Sequence, residues 1–98
     1  MAYARPEKVR AYRDHLAHVV LPALRRLAGF QGLELCEAVR GDRVELLVVS
    51  RWQSMDAITA FTGANPDRAV VEPGAMAVLE EYDDFVTHYE VTLEAMGA

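Results

Sequence analysis

The sequence has one cysteine, one tryptophan and no lysine or arginine between residues 72 and 98. Cys36 stands alone, so an intrachain disulfide and a cysteine-rich metal site are both excluded. Its position in a strand reads as an inert core thiol. Apolar stretches are short and interrupted, well below the roughly 20 residues that cross a bilayer, so no membrane span is expected. Arg5, Glu7, Lys8, Arg10 and Arg13 stand where a secretory apolar region would begin, which argues against export and makes the cytoplasm the expected location. No Walker pattern and no GxGxxG opens a helix after a strand, so nucleotide binding has no motif and Gly41 belongs to a turn. Internal repeats and low-complexity segments are also missing.

The charge is divided along the chain. Residues 1–28 carry six Lys/Arg against two Asp/Glu, whereas residues 72–98 carry seven Asp/Glu, within a net charge of -5. A nucleic-acid footprint needs a concentrated basic face with base-stacking groups, which this pattern does not supply. The two ends instead attract each other, drawing the first helix toward the C-terminal strand of its own chain or of a partner copy.

Ninety-eight residues at 52% hydrophobic composition make one α+β domain over residues 1–98. Pro6 suits a first helical position, and Val9, Tyr12, Leu16 and Val19 follow at three- and four-residue intervals as an amphipathic stripe. Pro22 should kink or restart that helix, because its ring conflicts with the carbonyl of His18, and Gly29 ends it. A hairpin is expected over Leu33–Trp52, reversing through Arg40, Gly41, Asp42 and Arg43. In its second strand Val44, Leu46, Val48, Ser50 and Trp52 share one face, and Glu45, Leu47, Val49 and Arg51 the other. Both faces carry apolar side chains and want cover. Two helices can cover one, so a second subunit is the natural cover for the other.

Ser54 suits the cap of a second helix with Ile58 and Phe61 on its apolar side. Gly63–Asp67 reads as a turn, Arg68–Val71 as a short connection, residues 75–81 as a short helix and Phe85–Leu93 as the final strand.

The run Leu47-Val-Val-Ser-Arg-Trp-Gln-Ser-Met-Asp-Ala-Ile-Thr-Ala-Phe61, followed by Asp84-Phe-Val-Thr-His-Tyr-Glu-Val91, resembles the antibiotic biosynthesis monooxygenase-like family, as does the connection Leu27-Ala-Gly-Phe-Gln-Gly-Leu33. The resemblance implies a ferredoxin-like domain that dimerises through its sheets into a dimeric α/β barrel, with a cavity between each sheet and its helices. It also implies either cofactor-independent oxygenation of aromatic polyketide-like substrates, haem degradation, or a fold with no established reaction. The family begins with a strand, whereas this chain reaches Pro6 after only five residues. Either those residues supply a very short strand, or a strand lies upstream, or the others close the gap by altered pairing. The haem-degrading branch uses an Asn on the first strand and a His in the helix after the family's Trp, and this chain has neither in place.

Trp52 occupies the family's tryptophan position and, with Phe61, is the candidate substrate-binding pair; packing at a strand end is the alternative role. His88 and Tyr12 are the candidate catalytic residues, His88 as a proton carrier or a structural imidazole, Tyr12 as a cavity hydroxyl or a core ring. Tyr89 points away from His88 on a regular strand and reads as packing. His15 and His18 lie three apart on the first helix without a third ligand, so no metal and no cofactor is expected. Arg51 reads as an ion-pair residue, Ser50 and Ser54 as hydrogen-bonding and capping groups, and Glu80, Glu81, Asp83 and Asp84 as a solvated approach to the last strand.

Two functions follow. One is a homodimeric scaffold or small-molecule-binding domain with an aromatic ligand. The other is a cofactor-independent monooxygenase acting on an aromatic or polycyclic substrate, with Trp52 shaping the pocket and Tyr12 and His88 supplying polar contacts.

Overall fold

A computed structural model of the chain describes residues 1–63, 78–83, 86–95 and 97. The elements run β1 (Ala2–Ala4), α1 (Pro6–His15), a π-helical turn (Leu16–Val20), α2 (Leu21–Leu24), β2 (Phe30–Arg40), β3 (Arg43–Trp52), α3 (Met55–Thr62) and β4 (Glu81–Tyr82). The strands form one antiparallel sheet in the order β2-β3-β1-β4. That order, with helices after β1 and β3, is the ferredoxin-like arrangement.

The short-strand alternative for residues 1–5 is the one the fold adopts. β1 pairs on one side with β3, matching Ala2 to Leu46 and Ala4 to Val44, and on the other with β4, matching Ala2 to Tyr82. Arg5 then turns in extended geometry, and Pro6 opens α1 where a missing N–H leaves nothing unsatisfied. Glu7 lies in that first turn. A hydrogen bond from its own backbone N–H, followed by Arg5 at 3.1 Å, holds its carboxyl below the usual range.

The helix passes Pro22 without a break, because the turn before it widens. The N–H of Leu21 reaches back five residues to the carbonyl of Leu16, and the ring of Pro22 is accommodated beyond this π turn. The wider turn takes up one extra residue and moves the inward stripe from Val19 to Val20. Val20 packs on the core and Val19 stays exposed, so the expected stripe position is corrected by one.

The core lies between this helix and one sheet face. Ala2, Ala4, Val44 and Leu46 contribute from the sheet and Val9, Tyr12 and Leu16 from the helix, with Val20, Leu35, Val78, Leu79 and Tyr82 at its margin. Because β1 is central and presents only alanines, it leaves the volume that the Tyr12 ring fills.

The hairpin turns at Gly41, whose φ of 64° suits glycine, so the expected reversal is present. Register runs regularly from Arg40 opposite Arg43 to Gly32 opposite Arg51 and then slips, leaving Gln31 as an extra residue before Phe30 meets Trp52. That bulge turns the Phe30 ring to the same face as Trp52. Cys36 sits opposite Leu47 on the face away from the helices and is exposed, which corrects its reading as a core thiol.

The C-terminal expectations also change. Residues 86–93 form no strand, and the edge of β1 is taken by Glu81–Tyr82 instead, starting at the last residue of the segment 75–81 expected to be helical; residues 75–77 of that segment and Phe85 lie outside the described residues. Hydrogen bonds from Glu80 N–H to the Tyr3 carbonyl and from Asp83 N–H to the Met1 carbonyl extend the pairing. β1 is only three residues long and can align only a short partner. The turns at Gly63–Asp67 and the connection Arg68–Val71 fall outside the described residues beyond Gly63.

The helical run ends at Leu24, five residues before the expected Gly29, and Gly29, at φ 84°, instead brings β2 against α3. Its carbonyl accepts from Gln53 N–H at 2.7 Å, and a Cβ added there would stand 2.6 Å from the Cβ of Ala57. Gly29→Ala therefore combines a left-handed backbone penalty with a side-chain clash. It is expected to cost about 2 kcal/mol or more, lowering Tm by roughly 8 °C or more in thermal unfolding, while Gly41→Ala, which meets open space, costs less.

Candidate functional site

The aromatic residues at the far end of the hairpin form one unit. β3 ends at Trp52, and Ser54 caps α3 by accepting the Ala57 N–H at 3.2 Å, as its sequence position implies. Two turns later the helix returns Phe61 over the tryptophan. The Trp52 and Phe61 rings stack at 5.4 Å with 22° between planes, and Phe30 meets Trp52 edge-on at 5.2 Å and 71°. Trp52 Nε1 donates to Ser50 Oγ at 2.9 Å, fixing the indole in its plane. The bulge at Gln31, the close approach at Gly29 and the Ser54 cap thus all act on one tryptophan.

Of the candidate catalytic residues, Tyr12 packs in the core cluster, which holds none of Phe30, Trp52 or Phe61. Burial raises its phenol above the ordinary value, so at neutral pH it stays protonated and can donate but not accept a proton. His88 is half-buried in the segment after β4, outside any strand, so the alternation argument separating it from Tyr89 does not apply. Tyr89 itself is largely exposed.

An open groove of about 410 Å³ lies elsewhere, between α1 and the tip of the hairpin, floored by Val39 and Val44 and walled by Arg10 and Arg13. Arg13 holds Glu37 through both carboxylate oxygens at 2.9–3.2 Å, an exposed but bidentate pair. None of Tyr12, Trp52, Phe61 or His88 lines this groove. Sequence reasoning missed it, although the basic character of the first helix was the available signal. Among the described residues no group of three or more His, Cys, Asp or Glu is placed to hold a metal ion. None of the helices described is long and apolar enough to cross a membrane.

A family model for antibiotic biosynthesis monooxygenases matches residues 1–87. The chain belongs to that family. The match begins before β1, in keeping with the short first strand, and runs through β4. Membership in the antibiotic biosynthesis monooxygenase family agrees with the ferredoxin-like α+β architecture and places the chain among small-molecule-binding or monooxygenase-like domains. No curated protein and no solved structure matches it.

The buried phenol has a pH consequence. A tyrosine whose pKa is raised on folding gives its full stabilisation below its unfolded value of 10.0, and that contribution is lost as pH rises through the folded value. Urea midpoints measured from about pH 9 to about pH 11 should fall for the parent chain and fall less for Tyr12→Phe. Parallel curves for the two proteins would contradict the burial assignment.

Proposed function

We propose that the chain is a homodimeric domain that binds a small, flat aromatic molecule, with Trp52 and Phe61 as its recognition wall. The observation that carries this reading is the Phe30–Trp52–Phe61 unit: a half-buried indole, pinned by Ser50 and backed by two rings, is a rigid surface for an aromatic guest. Catalysis is the second reading, favoured by family membership, in which the guest's own electron-rich ring reduces oxygen after losing a proton. Binding is preferred over turnover because the aromatic unit is a preformed surface, whereas Tyr12 belongs to the core cluster and not to that unit.

Homodimerisation is supported by the sheet face opposite the helices. Cys36, Ala38, Leu47 and Val49 share it, and Leu47 and Val49 remain 41% and 38% exposed although β3 is an interior strand. Charged pairs surround them: Arg51 with Glu34, Arg40 with Glu45, and Arg43 with Glu81, the Arg43 guanidinium also lying 4.1 Å over the Tyr3 ring. An apolar centre inside a polar rim is the composition of a protein interface, and a second copy supplies a matching face.

Two measurements test these readings. Trp52 is the only tryptophan, so its emission should be quenched saturably by 1-naphthol or anthrone, and Phe61→Ala should weaken binding by up to about tenfold, the value of one aromatic contact. Unsaturable quenching would overturn the binding reading, and naphthol-dependent oxygen uptake by metal-free protein would put the oxygenase reading in its place. Light scattering across a dilution series should show a two-chain species. Leu47→Asp, which buries a charge on both sides of the interface, should raise its Kd by roughly 100-fold without unfolding the chain, corresponding to about 3 kcal/mol. A monomer at high micromolar concentration would defeat the dimer.

A further inference from the structure

The groove between α1 and the hairpin tip joins an uncovered apolar floor to a cationic wall. Val39 and Val44 stand opposite each other in the hairpin register, yet Val44 belongs to the core while Val39 is 75% exposed. The two arginines of the wall are not equivalent. Arg13 commits Nε and Nη2 to the carboxylate oxygens of Glu37, which leaves that pair neutral as a unit. Arg10 has no carboxylate partner among the described residues, so the lining, with two arginines against one glutamate, keeps one uncompensated positive charge. The apolar part of the lining is aliphatic, without an aromatic ring to stack a flat guest. At about 410 Å³ the groove has the size of a small-molecule site.

We propose that this groove is a second small-molecule site, which takes an alkyl carboxylate: the Arg10 guanidinium receives the carboxylate, and the alkyl chain lies on Val9, Val39 and Val44. A guanidinium presents its N–H groups as a fork that matches two carboxylate oxygens, and it stays charged at every pH at which the protein is folded. Arg13 protects the site by a different route. By holding Glu37 it cancels the one negative charge of the lining, which would otherwise repel the same ligand. The chain of the ligand supplies the cover that Val39 lacks, and removing that side chain from water favours a longer chain over a shorter one. The site is separate from the aromatic unit. Val44 and Trp52 are eight residues apart on β3, about 27 Å along the strand, so the two ligands do not compete. The face proposed for dimerisation lies on the other side of the sheet and includes none of these residues.

The test uses the full chain, isotope-labelled for NMR, and octanoate as the probe. Octanoate should shift the amide signals of Val9, Val39 and Val44 saturably, without moving those of Gly29, Gln53 and Ala57 beside the aromatic unit. Octanol and octylammonium keep the chain but lose the negative charge, and both should bind at least about tenfold more weakly. Arg10→Gln should cost octanoate the same factor, and Val39→Asp, which sets a carboxylate on the floor, should abolish binding. Both residues are exposed, so circular dichroism of the two variants should match the parent. Glu37→Gln releases Arg13 and should tighten binding by roughly three- to fivefold. Equal affinity for octanol and octanoate, or an affinity that Arg10→Gln leaves unchanged, overturns the site. Shifts centred on Phe30, Trp52 and Phe61 also overturn it, while leaving the aromatic-guest reading in place. Groove signals that move with protein concentration alone assign the groove to a second copy and overturn the carboxylate.

Discussion

The three residues of β1 hold the fold together. Among the described residues Ala2–Ala4 is the segment that bonds to both β3 and β4, so without it the hairpin and β4 share no sheet. Its side chains matter as much as its hydrogen bonds. Ala2 and Ala4 bring little volume to the core, and Tyr12 supplies the bulk from the helix above them. A larger residue on β1 would compete with that ring for the same space. The choice of a buried tyrosine, with its raised pKa, thus follows from the smallness of the strand beneath it.

Much of the fold was legible because local chemistry and tertiary packing agree. Pro6, Gly41 and Ser54 each do in the structure what their backbone preferences imply. Disagreement came where two local rules met. Pro22 was legible as an obstacle, but sequence does not say whether a helix answers with a kink or with a widened turn, and the π turn shifted the stripe to Val20. Alternation over residues 86–93 is a sound strand signal, yet a strand also needs a free neighbour, and that condition lies outside the segment itself. Cys36 shows the same limit: alternation places it on a face, and only the position of the helices decides which face is inside.

The aromatic wall was half legible. Trp52 and Phe61 were identifiable as neighbours from a strand, a cap and two helical turns, and they stack. Phe30 was not, because regular alternation gives no warning of the bulge at Gln31 that turns its ring toward the indole. Tyr12 belongs to the core cluster, of which Trp52 is not a member. For the groove at the hairpin tip the basic residues of the first helix were a signal, but its existence also depends on how α1 lies over the hairpin.

The pairing of β1 with β4 joins residues about eighty positions apart, whereas the hairpin joins neighbours. On an emerging chain the hairpin closes first, and β1, already synthesised, can dock on β3 as soon as Leu46 is free. The sheet then waits with one side of β1 bare until Glu81 and Tyr82 leave the ribosome, and hydrogen bonds from Glu80 and Asp83 complete the edge. During that interval Ala2 and Ala4 lack their last covering residues, Val78, Leu79 and Tyr82. Nascent chains are therefore at their most adhesive late in synthesis, when only the closing strand is still to come.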